Sequence, residues 1–331
     1  MTEMILDHYG GAHQTPINWK GVNQEENMAR IMNVLPRSHK AMVVNLPSAP
    51  IMLALLAVYF IWGSTYLAIT YAIESIPPFL MSGMRFMIAG GLLYAYLRLR
   101  GQSNPTRIQW RNAMLVGTLM MGVGMGGVTF AEQWVSSGLA ALTVSVLPLW
   151  AMVFASVVER LPTRFEVFGL ALGLIGVVIL NIGSDLWGEP IGAIALIIAP
   201  MGWSLGSIWS RHMDLPGGLM RPATMLICAS VPMLALGLLQ GEQITQAPTA
   251  ESVSALLYLA FFGSVIAFGA YLYLLQNASA SVATSYAYVN PIIAVILGSL
   301  LTGETVTILT IIAGGFIIGA VMIINLNKSH D

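Results

Sequence analysis

The stretch Ile51–Ile73 reads IMLALLAVYFIWGSTYLAITYAI and contains no Asp, Glu, Lys or Arg. As an α-helix rising 1.5 Å per residue, it is long enough to cross the hydrocarbon core of a bilayer, about 30 Å thick. Nine further runs of this kind follow, at 79–99, 111–134, 137–157, 165–184, 190–210, 220–240, 253–275, 279–301 and 306–326. The linkers between them are short. The longest, from Arg98 to Arg111, cannot hold a nucleotide-binding domain. Composition agrees, with 56% of the 331 residues hydrophobic and 9% charged, where a soluble domain carries about a quarter charged. The expected fold is an all-α membrane protein of ten transmembrane helices.

Residues 1–50 differ in kind. They are polar, lack the apolar core of a signal peptide, and read as a disordered cytoplasmic tail. Glu25-Glu26 can be encoded by purine-rich DNA of the sort that precedes a bacterial start codon, so Met28 is an alternative start. Intact-mass measurement of protein expressed from its own upstream DNA decides between the two. At the other end, residues 327–331 form a short cytoplasmic C-terminus.

Charge placement gives the orientation. With sides alternating at each run, thirteen of the fourteen Lys and Arg fall on one side. They lie in the tail, at Arg98, Arg100, Arg107 and Arg111, at Arg160 and Arg164, at Arg211 and Arg221, and at Lys328. The fourteenth, Arg85, lies inside the second run. The positive-inside rule places that side, with both termini, in the cytoplasm.

The second half echoes the first. At a shift of 143, Gly126 meets Gly269, Gln133 meets Gln276, Ser136 meets Ser279 and Pro148 meets Pro291. Trp62 meets Trp203 at a shift of 141, and Glu159 meets Glu304 at 145. The repeats are expected at 51–184 and 190–326. Each holds five helices, an odd number, so the copies are inverted relative to each other. Inverted repeats are a device of secondary transporters.

Within the ninth run, Ala287–Gly298 reads AYVNPIIAVILG. Pro removes a backbone donor and Asn adds hydrogen-bonding groups in an apolar segment. Asn290-Pro291 lies roughly 17 Å into its helix, as Pro148 does from the opposite face. Trp62 and Trp203 are similarly deep, so these positions converge near the bilayer midplane. Polar or irregular helix at that depth is tolerated where it faces protein or a water-filled cavity. The Asn-Pro pair therefore reads as cavity lining, while Pro148 alone reads as a packing kink.

Few charges lie inside the runs. Arg85 and Glu132 sit near the outer ends of the second and third runs, and Glu74 closes the first on the same side. Arg85 with Glu132 is expected either as a structural ion pair or as an outer gate. Glu159 and Glu304 read as capping residues. Gly169-x-x-x-Gly173 and Gly315-x-x-x-Gly319 occupy matching helices and allow close packing, or the seam of a homodimer.

The five histidines (His8, His13, His39, His212 and His330) lie in the tail, a loop and the C-terminus. That disfavours Ser-His catalysis, and no His, Asp or Glu cluster suits a catalytic metal. No enzyme activity, metal or cofactor is expected. Without a P-loop, active transport must draw on a gradient. The expected partners are a small-molecule solute and the bilayer, with no nucleic acid. A lipid-handling, flippase-type protein is the alternative, since its groove needs the same features.

FIWGSTYLAITYAIESIPPFLMSGMRFMIAGGLL, from Phe60, and ATSYAYVNPIIAVILGSLLTGET, from Ala283, resemble the EamA family of the drug/metabolite transporter superfamily, and in particular its ten-helix bacterial inner-membrane permeases. The resemblance runs from about Met52 to Asn325. It implies two repeats, alternating access, and a central cavity lined mainly by helices 1, 3, 4, 6, 8 and 9. Trp62, Ser64, Thr65, Arg85, Trp203, Tyr286, Asn290 and Pro291 match family motif positions. The expected activity is secondary transport, in the efflux direction, of a small amino-acid-like or drug-like metabolite. Its apolar part would meet Trp62, Trp203 and Tyr286, and its polar end Asn290, Ser64, Thr65 or Thr143.

Overall fold

The computed structural model describes residues 48–158, 163–182, 190–278 and 280–327. The expectations for the N-terminal tail through residue 47, for Glu159 and for the last four residues lie outside these. The described residues are helical throughout their length apart from short turns, in segments that follow the apolar runs. They are α1 (Ala49–Ile73), α2 (Pro78–Leu99), α3 (Arg107–Ala131), α4a (Ser137–Val144) and α4b (Leu147–Val158). Next come α5 (Arg164–Ile182), α6 (Pro190–His212), α7 (Met220–Leu239) and α8 (Ala250–Asn277). The last are α9a (Ala280–Thr284), α9b (Tyr286–Leu301) and α10 (Ile308–Asn327). Eight of these rods are long and apolar enough to cross a membrane. The other two, α5 and α10, are apolar helices that pack on each other.

Local chemistry sets the ends. Thr106 and Gln109 form a reciprocal capping box at the start of α3, and Ser136 and Thr249 cap α4a and α8. These side chains satisfy amides that have no partner in the first turn. Gly101, Gly241 and Gly303 stop α2, α7 and α9b with φ of 83°, 78° and 70°. Residues with a Cβ rarely adopt that left-handed backbone. Glu304, just beyond Gly303, turns back onto α4a. Its Oε1 accepts from Ser137 N at 2.9 Å and Ser137 Oγ at 2.7 Å, and its Oε2 accepts from Gly138 N at 3.1 Å. Glu242, just beyond Gly241, does the same for α2, accepting from Phe79 N at 3.1 Å and Leu80 N at 2.8 Å.

The packing comes in matched pairs. α1 lies against α8 and α9b, and α6, the first helix of the second half, lies against α3 and α4b. α2 packs on α8 as α7 packs on α3, and α2 and α7 run along each other. Close approach is needed because apolar lipid offers helices no hydrophobic drive to associate. Gly117 provides it between α3 and α7, where a β-carbon would collide with the Met225 carbonyl. At Gly90 it would lie 2.8 Å from the Ile227 amide of α7. Gly173 and Gly176 of α5 face Leu149 and Ile317 closely, whereas Gly315 and Gly319 of α10 meet no other group within 4 Å.

Three rods are not uniform. α1 is π-helical over Ala57–Trp62, α3 over Thr118–Gly126 and α8 over Leu259–Ala267. The last two are nine residues long each and start 141 residues apart, the shift that relates Trp62 to Trp203. α4 breaks at Ser145-Val146, just before Pro148. α9 breaks at Ser285, and α9b continues unbroken through Pro291.

Candidate functional site

The π-helical turns of α1 and α3 and the breaks in α4 and α9 border one narrow cavity, of about 40 Å³. α1, α3, α4, α6 and α9b line it, with Trp62, Thr65, Trp203, Tyr286 and Asn290 among its walls. These are five of the seven residues expected there. α8 contributes no lining residue but supports the wall from behind. Its π-helical turn presents the Gly263 carbonyl, which accepts from Trp62 Nε1 at 3.1 Å.

Aromatic rings close one end. The Trp62 ring meets Trp203 edge-on at 5.3 Å, Tyr286 edge-on at 5.2 Å and Tyr271 tilted at 5.1 Å. Tyr271 also packs on Trp203 and Tyr286, each at 5.6 Å. Such pairs contribute about 0.5–1.5 kcal/mol each beyond burial, so the layer is a firm floor. Gly124 in the π-helical turn of α3 makes room for it, since a β-carbon there would lie 3.1 Å from Trp203 Cε3. Pro200 in α6 and the break at Ser145-Val146 in α4 shape the remaining walls, through Pro200, Val144 and Leu147.

Three polar atoms on this wall lack a well-formed hydrogen bond within the protein: Asn290 Oδ1, and Trp203 Nε1 and Tyr286 Oη, which approach only each other and Tyr271. Leaving a buried polar group unpaired costs about 1–3 kcal/mol. Two potential donors and an acceptor therefore line one cavity together with an aromatic surface. That set suits a solute with an apolar ring or chain and a polar end.

Other expected residues lie elsewhere. Ser64 Oγ donates to the Ile61 carbonyl at 2.8 Å and pairs with Tyr258 Oη at 2.6 Å, facing α8. Thr143 donates to the Leu139 carbonyl at 2.9 Å and does not line the cavity. Glu74 is exposed and borders a separate groove with Gln240 and Glu242. Arg85 and Glu132 are both buried, but no ion pair joins them. Arg85 Nε donates to Ser264 Oγ at 2.8 Å, and Glu132 Oε2 lies within hydrogen-bond reach of Thr70 Oγ1, at 3.3 Å. Tyr66, Pro200 and Tyr271 were not anticipated from the sequence. Tyr66 follows Trp62 by four residues and so shares its helix face, and Pro200 sits at a shift of 141 from Tyr59, opposite the π-helical turn of α1.

The family model of the EamA-like transporter family matches the chain twice, over residues 49–182 and 190–326. The chain belongs to that family of membrane transporters. The uncharacterized inner membrane transporter YedA of Escherichia coli K12 is 43% identical over 280 residues, covering 84% of this chain and 92% of that protein. The uncharacterized transporter YoaV of Bacillus subtilis is 27% identical over 282 residues, covering 81% and 94%. A solved crystal structure shares the fold with a TM-score of 0.63 at 20% identity, covering 85% of this chain and 99% of its own.

Proposed function

We propose that this protein is a secondary carrier of the bacterial inner membrane. It moves a small amphipathic metabolite by alternating access, through ten crossings arranged as two inverted five-helix repeats with both termini cytoplasmic. The observation that carries the reading is the central cavity, with its aromatic floor, the unpartnered Asn290 oxygen and the poorly satisfied Trp203 and Tyr286 groups. The double family match, the paired packing of repeat mates and the π-helical turns at 118–126 and 259–267 support the inverted repeats. The one-sided Lys and Arg distribution supports the orientation. YedA, named an inner membrane transporter, supports the location.

The test is thermal melting of the detergent-purified protein against amino acids, polyamines, nucleosides and cationic drugs. A solute that binds the native state raises the melting temperature with its concentration. Asn290→Ala is expected to keep the ligand-free melting temperature, because it removes a buried group that has an unpartnered atom, and to abolish the solute-induced rise. An unchanged rise in Asn290→Ala would remove Asn290 from the site. Liposome flux of the stabilising solute then tests transport directly.

A further inference from the structure

Two groups of opposite charge lie buried toward the end of the bundle where α2 and α4a begin, and the proposed solute site uses neither. Arg85 is 2% exposed and Glu132, directly after α3, is 5% exposed. Each is held by a hydroxyl on a different helix. Arg85 Nε donates to Ser264 Oγ of α8 at 2.8 Å, and Ser264 Oγ in turn donates a hydrogen bond to the Leu259 carbonyl at 3.0 Å. Arg85 Nη1 has no partner. Glu132 Oε2 meets Thr70 Oγ1 of α1, and its Oε1 has no partner.

Thr70 decides the charge of Glu132. Its hydroxyl has one proton but two acceptors in reach, the Tyr66 carbonyl at 3.4 Å and Glu132 Oε2 at 3.3 Å. With Glu132 ionised, Thr70 serves one of them and a carboxylate stands in a dry site without a cation in contact, which is costly. With Glu132 neutral, both contacts are made. The carboxyl O–H donates to Thr70 Oγ1, and Thr70 donates to the Tyr66 carbonyl. The titratable groups that face Glu132 are Tyr66 of α1, Arg85 of α2 and Glu304 after α9b. The like charge of Glu304 adds to the cost of ionising it.

We propose that Glu132 is a proton-binding site, protonated in this conformation and deprotonated when Arg85 leaves Ser264 and pairs with it. In that step the carboxylic acid releases its proton to water and becomes a carboxylate, and the Arg85 guanidinium replaces the proton as its partner. Linking this exchange to solute movement rests on the alternating access proposed above; the proton site itself does not. The site makes the proton the coupling ion, and Arg85 the positioning group that governs its release.

The experiment is infrared difference spectroscopy of the full chain in liposomes as pH is raised from acidic to alkaline. The expected result is a protonated-carboxyl band that persists at neutral pH, shifts on ¹³C-glutamate labelling and is absent from Glu132→Gln. In Arg85→Gln the midpoint for losing the band should rise by one pH unit or more, about a tenfold change in proton affinity, because the cation that favours the carboxylate is gone. The wild-type spectrum alone can overturn the proposal, even where Glu132→Gln fails to fold, if no protonated glutamate band is present at neutral pH. A midpoint unmoved in Arg85→Gln would also overturn it. No solute or flux enters the measurement, so its failure leaves the carrier reading standing, and a failed flux assay leaves the proton site standing.

Discussion

Gly263 serves three neighbours at once. Its carbonyl accepts the Trp62 indole, and a β-carbon there would lie 2.9 Å from Arg85 Nη2 and 3.1 Å from Thr65 Cγ2. Gly263→Ala should therefore destabilise the protein by about 1–3 kcal/mol, as overpacking of a tight site does. A lower melting temperature in detergent would show it, and an unchanged one would mean that Arg85 or Thr65 shifts freely. Trp62, Trp203 and Asn290 were legible in the sequence because Trp and Asn-Pro are rare at midplane depth. Ser64 was misread for a reason the helix period supplies. Thr65 and Tyr66 follow Trp62 by three and four residues and share its face, while Ser64, two residues on, points away. Thr143 was misread because a hydroxyl in a helix can turn back to the carbonyl four residues earlier and offer nothing outward. The expected Arg85–Glu132 pair failed similarly, since Ser264 and Thr70 compete for the two charges and neither Ser264 nor Thr70 stands out in the sequence.

Helix positions were legible to within a few residues because apolar length has no other reading in a chain with so little charge. The departures from regular helix were not. A π-helical turn leaves no residue pattern, and its trace here is only the run of glycines in Thr118–Gly126. The break at Ser145-Val146 follows the Val144 carbonyl, from which Pro148 withdraws its donor, whereas Pro291 withdraws its donor from Ala287 inside unbroken α9b and does not account for the break at Ser285. Close helix contact gives a sharper test at this scale. Gly117→Ala should destabilise the α3–α7 contact strongly, since the obstacle is backbone and cannot rotate aside. Gly91→Ala in α2, where no group lies within 4 Å, should be neutral or stabilising by up to about 1 kcal/mol through helix propensity. Equal melting temperatures for the two variants would contradict the close approach of α3 and α7.

At the scale of the whole molecule, the proposed orientation puts the loops after α2 and α7 on opposite sides of the membrane. Gln102 and Thr245 are exposed in those loops, and Cys228 is the one cysteine in the chain. In a Cys228→Ala background, Thr245→Cys should react with a membrane-impermeant maleimide added to intact cells, and Gln102→Cys only after the membrane is opened. The reverse pattern would invert the topology. Two perfectly matched inverted halves would make the inward-open and outward-open forms copies related by a two-fold rotation, of equal energy, and the proposed carrier would have no preferred resting state. Any bias must come from positions where the mates differ. Glu242 clamps the start of α2, while its mate Gln102 carries no carboxylate to clamp α7; Tyr59 lies in a π-helical turn where its mate Pro200 interrupts an α-helix. On the proposed mechanism, mismatches such as these break the degeneracy, so the resting face would be set less by what the halves share than by where they drifted apart.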